Sequence, residues 1–436
     1  MDVATLWFSE YAEAVAAGTP RDIVKAFLPH GWFRDVLTLT WNYRALEGPE
    51  KITRYLSEHL HPGQISGFKL LGGADDTSRY RVPKYVAQTG MVEVYFAYET
   101  DVALGKGYAM LKQDESAAWK ALNVCMMIVE LKGHEEPGYE VYDGHTLAWS
   151  DVYRERNASI EADPHVLIDT HFPFEVLYQP YPSNWPFFIP KDKLADWHKS
   201  HPIYHDDKAN WDVTINRDGQ QVTIHPAHII VATGTLGKPA DFTLPFQDHF
   251  SGTILHGSKY QGGAPYTGKR VIVVGAGNSS IDICQDLCFH NTKSVTMIQR
   301  SSTCVHSSAF VEENQTRIWP DGEPVEVGDF KLGAVGPGLS KKIMQGKTAE
   351  MWERDKEMHD KLRKGGFALN MGVGGGGQVS LVWERGGGFW VDKGGADLIG
   401  SGAIKVKQGA QPTSYTETGL VFSDGTELEA DVVIFA

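Results

Sequence analysis

Trp7, Tyr11 and Val15 lie four apart, and that spacing predicts an amphipathic helix over residues 2–17, stopped by Gly18 and Pro20. A second short helix carries Ile23, Val24 and Phe27. After Gly31 the run WFRDVLTLTW reads as a strand, and Pro49 then opens a helix with Ile52, Tyr55 and Leu56 on one side. Strands are predicted at Phe68–Leu71, Met91–Glu99, Gly107–Gln113 and Trp119–Glu130. Helices first and adjacent strands afterwards make an α+β order for residues 1–135.

Residues 136–168 are polar, carry Gly and Pro, and read as a linker that ends in a short helix and the apolar run His165–Ile168. Tyr178–Phe188 is too rich in proline for a helix or a central strand. Pro190 suits the first position of a helix holding Leu194 and Trp197 on one face. Trp211–Ile215, the turn Asp218-Gly219 and Gln221–Ile224 make a hairpin. A buried strand from Ile229 then runs into Thr233 and Gly234. The same order recurs at Asp424-Gly425, Glu427–Glu429 and Asp431–Ala436. Lys347–Arg363 reads as one charged helix. Gly372–Gly377 fits the expression GxGxxG, yet the QVSLVW after it alternates like a strand, so a plain loop is expected.

At 436 residues the chain has room for two or three domains. A net charge of −14 argues against a nucleic-acid or anionic-membrane surface, either of which needs clustered Lys and Arg. Four cysteines give no secreted disulfide framework, and Cys284 and Cys288, four apart on a helix, are core residues and not a redox CxxC pair. The first residues lack a basic n-region, and no uncharged run reaches the length of a membrane span. A cytoplasmic protein is expected.

The chemistry concentrates at Lys269–Arg300. Arg270–Val274 is an apolar strand, Gly275-Ala-Gly277-Asn278-Ser279-Ser280 follows at once, and Ile281, Cys284 and Cys288 continue at helical spacing. Ser294–Ile298 is a second strand, ending on Gln299 and Arg300. This strand–turn–helix–strand context is what a dinucleotide fingerprint requires. Gly275 permits the tight turn, Gly277 lets the backbone approach a pyrophosphate, and the helix N-terminus at Asn278 and Ser279 offers free N–H groups to it. Ser280 replaces the third glycine and is small enough for close packing. The second strand ends without the acid that would hold a ribose 2′-hydroxyl, and Arg300 presents a fork suited to a 2′-phosphate, so NADP(H) is expected over NAD.

Phe250, Gly252, His256 and Tyr260 fit the signature FxGxxxHxxxY of the flavin-containing monooxygenases, in its usual place before the second fingerprint. With VATG at Val231–Gly234, GAGNSS, PKDKLADW and the closing DGTELEADVVIFA, residues 169–436 resemble that family, in particular fungal members with an extra N-terminal domain. Residues 1–135 resemble a SnoaL-like curved-sheet cone enclosing a pocket. His30, Asp35 and Trp41 are candidates for its lining, with surface or core positions as the alternative. The resemblance implies an α+β cone followed by an α/β architecture of two Rossmann-like dinucleotide-binding halves, FAD and NADP(H) as cofactors, and dioxygen with a small-molecule substrate as partners. It implies oxygen insertion through a C4a-hydroperoxyflavin, no nucleic acid, no membrane, and a possible homodimer through the N-terminal domain. Thr233, Gly234 and His256 join the cofactor-binding set, His256 as structural support.

One half departs from the family. After His165–Ile168 comes Asp169-Thr-His, with no glycine loop and no following ribose-binding acid. The FAD half is therefore expected to be truncated, with the NADP-binding part at about residues 246–400 and remnants of the flavin half at 169–245 and 401–436. The strand Asp431–Ala436 is expected to lose neighbours and expose an edge. Two functions stay open: a flavin-dependent monooxygenase, or a catalytically degenerate nucleotide-binding or interaction protein derived from one.

Overall fold

A computed structural model describes residues 3–72, 84–86, 89–134, 166–170, 203–205, 208, 210–217, 220–232 and 243–436. The chain divides into two compact units, Met1–Pro137 with Phe242–Ala436, and Gly138–Asp241.

The first unit opens with helices α1 (Val3–Ala16) and α2 (Pro20–Ile23), then strands β1 (Phe27–Val36) and β2 (Tyr43–Glu47), helix α3 (Pro49–His59), and strands β3 (Ile65–Leu70), β4 (Lys84–Val86), β5 (Met91–Thr100), β6 (Ala103–Gln113) and β7 (Trp119–Leu131). The sheet runs β2-β1-β7-β6-β5-β3, with β4 also on β5, and its β1–β7 pair is parallel. Trp7, Tyr11, Val15, Ile52 and Leu56 from the helices bury against Phe33, Val94, Phe96, Leu111 and Val124 of the sheet. Phe96 lies across from Gly107, where a Cβ would come 2.0 Å from its ring, so the large side chain occupies the room the small one leaves. The α+β order follows the apolar pattern, with corrections at its edges. Phe27 begins β1 and does not end a helix. β1 stops at Val36 because the buried Asp35 carboxylate accepts the Thr38 N–H at 3.0 Å and the Tyr55 hydroxyl at 2.6 Å, which turns the chain back. His30 and Trp41 are exposed and Asp35 is buried, the surface and core positions given above as the alternative to a pocket lining.

The second unit holds β8 (Val166–Thr170), β9 (Ile203–His205), β10 (Asn210–Arg217), β11 (Gln220–Ile224) and β12 (His228–Ala232). β10 and β11 form a hairpin with Arg217 opposite Gln220, around the predicted Asp218-Gly219 turn. β8 and β12 pair in parallel, Val166 opposite His228. Thr233, Gly234, the linker to residue 165 and the stretch 171–202, with its predicted helix from Pro190, lie outside the described residues.

The remainder of the first unit contains β13 (Thr253–His256), β14 (Arg270–Val274), helix α4 (Asn278–Phe289), β15 (Ser294–Gln299) and β16 (Thr303–Ser307). Helices α5 (Ser308–Ile318), α6 (Val325–Ala334), α7 (Pro337–Gly346), α8 (Thr348–Arg354) and α9 (Lys356–Lys364) follow. β17 (Leu369–Asn370), α10 (Gly377–Arg385), β18 (Phe389–Asp392), α11 (Gly395–Ser401), β19 (Ile404–Gln408), β20 (Pro412–Tyr415), β21 (Gly419–Phe422), β22 (Glu427–Glu429) and β23 (Val432–Phe435) complete it. The main sheet is parallel in the order β13-β23-β14-β15-β19. Ile281, Cys284 and Leu287 of α4 pack with Ile399 of α11 against Val271, Val273, Val295 and Ile434 on one face. The β20–β22 meander covers the other face, setting Tyr415, Leu420 and Phe422 on Ile272, Ile298 and Val433.

Three expectations are overturned here. The strand at Asp431–Ala436 does not lose its neighbours: β19 and β23 both belong to this sheet, and β23 is hydrogen-bonded on both sides and has no exposed edge. Val432, Val433 and Ile434 are all fully buried, which requires a covered position on both faces. QVSLVW is helical, because burial falls on Gly377, Ser380 and Leu381 at helical spacing while Val382 and Trp383 stay exposed. The single helix expected over 347–363 breaks at Asp355, whose carboxylate turns inward to accept the Ser307 hydroxyl at 2.6 Å.

Helices α6 and α7 reach the second face of the N-terminal sheet. Val327, Phe330, Ala334 and Leu339 cover Tyr95, Tyr108, Leu122 and Cys125. The Asn123 side chain donates to the Ala334 carbonyl at 3.2 Å, and Lys331 pairs with Glu93 at 2.9 Å. This sheet face is covered within the chain.

At the N-terminal ends of β14 and β23, Arg270 forks onto Asp431 (Nη2 to Oδ1 2.7 Å), and Glu429 joins it. The hydrogen bonds from the Arg270 side chain and backbone hold the Asp431 carboxyl at about 2. A depressed carboxyl stabilises the fold above its unfolded value, about 3.9, and loses that contribution as pH falls through the folded value. Melting temperatures of the wild type and Asp431→Asn should therefore differ above about pH 4 and converge towards about pH 2. A difference that persisted unchanged at the acid end would contradict this role for the pair.

Candidate functional site

β15 and β19 extend the main sheet to one side of β14, and the chain then returns to insert β23 on the other side, between β14 and the earlier strand β13. The strand order therefore reverses between β14 and β23, and ligands of open parallel sheets bind outside the carboxyl ends of the strands at such a point. Gly275 stands at that end of β14. Its φ is +135°, and a Cβ there would lie 2.2 Å from the Ala436 carbonyl oxygen and 2.5 Å from Ser280 Oγ, so only glycine fits. Gly277 has the opposite character. The nearest atom to a Cβ there is the Phe389 carbonyl oxygen at 3.9 Å, which leaves the space over the turn open.

Helix α4 starts at Asn278 with no side chain capping it. The N–H groups of its first turn have no intrahelical acceptors, and the positive end of the helix dipole adds to them. Asn278 and Ser279 are exposed beside this opening, whereas Ser280 is buried with its Oγ 3.5 Å from the Ala436 carbonyl. Ser280, the small residue in place of the third glycine, packs the helix onto the sheet. The Gly275 N–H donates to the Ile298 carbonyl at 3.1 Å, tying the turn to β15. Arg300, next along that strand, is exposed and takes part in no ion pair among the described residues. Gly275, Gly277, Asn278, Ser279 and Arg300 thus share one end of the sheet. An open turn, an uncapped helix and a neighbouring exposed guanidinium suit a dinucleotide pyrophosphate with a 2′-phosphate.

His256 ends β13 at the same end of the sheet, opposite Phe435, and its Nδ1 accepts the Ser258 N–H at 3.1 Å. The other signature positions are pins. Phe250 stacks near Tyr415 at 5.3 Å, a Cβ at Gly252 would meet the Asp431 carbonyl at 2.5 Å, and the Tyr260 hydroxyl donates to Asp286 Oδ2 on α4 at 2.7 Å. The sequence reading missed Asp286 and the role of Gln299, whose buried side chain accepts the Ala368 N–H at 2.8 Å and donates to its carbonyl at 2.9 Å. A lone polar residue at a strand end carries no signal of such a partner.

Two other constellations are closed to chemistry. The glycine run 372–377 precedes a helix after all, but it satisfies its own amides: Gly377 N–H on the Met371 carbonyl at 2.7 Å and Gly372 N–H on Asn370 Oδ1 at 2.7 Å. Cys304, His306 and Asp355 line up as a nucleophile, base and orienting acid would, with Sγ to Nε2 3.6 Å and Nδ1 to Oδ2 3.2 Å. Cys304 is fully buried, and burial pushes its thiol up to about 12, so it stays protonated and inert. Cys284 and Cys288 are free thiols on α4.

A family model described as flavin-binding monooxygenase-like matches residues 198–436. Among curated proteins the chain is similar to flavin-containing monooxygenase 3 of Macaca mulatta, 27% identical over 281 residues that make up 59% of this chain and 48% of that protein. It is also similar to indole-3-pyruvate monooxygenase YUCCA1 of Oryza sativa subsp. japonica, 26% identical over 278 residues, 59% of this chain and 61% of that one. The chain spans about half the length of the monooxygenase 3 relatives it matches. Among solved structures, oxidized steroid monooxygenase bound to NADP aligns at 17% identity over 54% of this chain and 50% of that chain, with a TM-score of 0.38.

The two glycines should separate on substitution. Gly275→Ala forces a Cβ into the Ala436 carbonyl at a left-handed position and should cost about 2 kcal/mol or more of stability, read by denaturant unfolding. Gly277→Val has room to fold and should melt within a few degrees of wild type while losing NADPH binding in a fluorescence titration, because the side chain fills the pyrophosphate's place. Normal NADPH binding by Gly277→Val would reduce the fingerprint to a structural turn.

Proposed function

The chain belongs to the flavin-binding monooxygenase-like family, and from that membership we propose that it works as the NADPH-using part of a flavin-dependent monooxygenase, inserting one oxygen atom into a small molecule. The family's enzymes are oxidoreductases that use FAD and NADP(H). The observation that carries the reading is the open, uncapped glycine turn at the reversal point of the main sheet, beside an exposed Arg300 that makes no ion pair among the described residues. The Gly275–Ser279 backbone would hold the NADPH pyrophosphate, and Arg300 its 2′-phosphate. Bound NADPH supplies a hydride for flavin reduction. The chain's own share is positioning: His256 and Tyr260 fix the turn after β13 and the flank of α4, and Gln299 fixes the end of β15. Dioxygen and a small-molecule substrate complete the reading, with a cytoplasmic location. A SnoaL-like role for the N-terminal sheet, and a homodimer through its remaining surface, belong to the same proposal. No helix among the described residues is long and apolar enough to cross a membrane.

FAD fits the residues less well. β8 and β12 form a parallel pair as a flavin half would, yet Asp169–Leu177 contains no glycine to make a pyrophosphate turn after β8. The same observation favours a second reading, a nucleotide-binding protein that has lost the flavin and with it the reaction.

Two measurements decide. Arg300→Ala should lower NADPH affinity about ten- to a hundred-fold and leave NADH nearly untouched, since a charge-assisted pair is worth roughly 1.5–3 kcal/mol. Equal wild-type affinity for the two nucleotides would refute the 2′-phosphate assignment. Incubation with excess FAD, desalting and an absorbance spectrum test the flavin side. A stoichiometric flavin spectrum supports the monooxygenase, and a colourless protein that still binds NADPH supports the second reading.

A further inference from the structure

β2 and α3 face each other across an open gap. Arg44 and Leu46 line it at alternate strand positions with Asn42 just before the strand, and Lys51, Arg54 and Glu58 meet them at helical spacing, around a cleft of about 390 Å³. Three cations stand against one carboxylate in a chain that has 55 acidic and only 41 basic residues. Even so, Arg44, Lys51 and Arg54 take part in no ion pair among the described residues. Like charges gathered without counter-charges are unfavourable, and an anion relieves them.

The cleft also has a built floor. Tyr55 is buried and donates its hydroxyl to Asp35 at 2.6 Å, and Thr40 Oγ1 lies 3.3 Å from the same oxygen. Asp35 simultaneously holds the Thr38 and Leu39 N–H groups, and Thr38 Oγ1 sits 2.5 Å from the Tyr98 hydroxyl. This network holds Leu37 in a left-handed conformation at φ +65° and fixes the loop that carries Thr40 and Asn42 to the cleft. Leu46 and the Tyr55 ring supply an apolar wall.

We propose that this cleft binds a small organic dianion, a phosphate monoester or a dicarboxylate, with its oxyanions on Arg44, Arg54 and Lys51 and its carbon body against Leu46 and Tyr55. The two guanidinium forks match either oxyanion, and the net charge of the lining matches two negative charges. The proposal does not depend on the nucleotide site.

The test is calorimetric titration of the full chain, at low salt, with phenyl phosphate and with succinate. NADP⁺ is present in excess throughout, so that the glycine turn is occupied. At least one probe should bind saturably and more weakly as salt rises, and the probe that binds identifies the oxyanion. Arg44→Gln/Arg54→Gln should weaken it at least about tenfold while leaving NADPH affinity and the melting temperature unchanged. Glu58→Gln, which removes the opposing charge, should tighten it, an outcome that a damaged fold does not produce. Failure of both probes to saturate, an affinity indifferent to the double substitution, or weaker binding by Glu58→Gln overturns the proposal.

Discussion

The insertion of β23 between β13 and β14 is the constraint on which the glycine-turn end of the main sheet depends. Arg270 reaches 161 residues along the chain to Asp431, so the two central strands are joined by a contact of very long range. Their register sets Val274 opposite Phe435, and this in turn puts the Ala436 carbonyl against Gly275. The tightness of the glycine turn is therefore imposed from across the sheet as much as by local preference. Burial of Val432, Val433 and Ile434, at roughly 1.5–3 kcal/mol each, supplies the drive for that closure.

The long connection between β15 and β19 carries a second parallel sheet and seven helices, and it serves two surfaces at once. One part lies against the nucleotide turn through Phe389. Another covers the N-terminal sheet through Phe330 and Leu339. Close approach there needs small residues: a Cβ at Gly338 would stand 2.6 Å from the Trp32 ring. Both faces of the N-terminal sheet are thereby covered, one by its own helices and one by α6 and α7. An antiparallel sheet commonly leaves one face to water, and this one does not.

The parts legible in the sequence are those fixed by local backbone physics. The glycine turn could be read because Gly275 answers a local steric demand and is flanked by apolar runs of strand length. Arg300 could be read because its position follows from the end of β15. Strand partnership could not. Asp424-Gly425 followed by an apolar strand has the same local pattern as the hairpin before Thr233, and a period of two says which faces are buried but not which strand lies alongside. QVSLVW misled for a related reason: Val379, Val382 and Trp383 favour a strand, but the small Gly377 and Ser380 allow a helix to pack closely, and tertiary fit prevailed over propensity. β2 escaped notice because it is an edge strand with little apolar pattern to detect.

The base of Arg300 illustrates how a free side chain can still be well placed. Gln299 is fully buried, and its carboxamide meets both the N–H and the carbonyl of Ala368 as well as Thr303 Oγ1 at 3.1 Å. The Gln299 carbonyl also accepts the Gly409 N–H at 2.8 Å, fixing the backbone on the β19 side. The strand end is thus clamped from two directions immediately before the exposed arginine. An arginine held this way loses only side-chain freedom when it engages a phosphate, because the backbone was ordered when the protein folded. On the proposed reading, discrimination between two nucleotides that differ by one phosphate would rest on the charge on Arg300 and on the rigidity that the neighbouring carboxamide gives it.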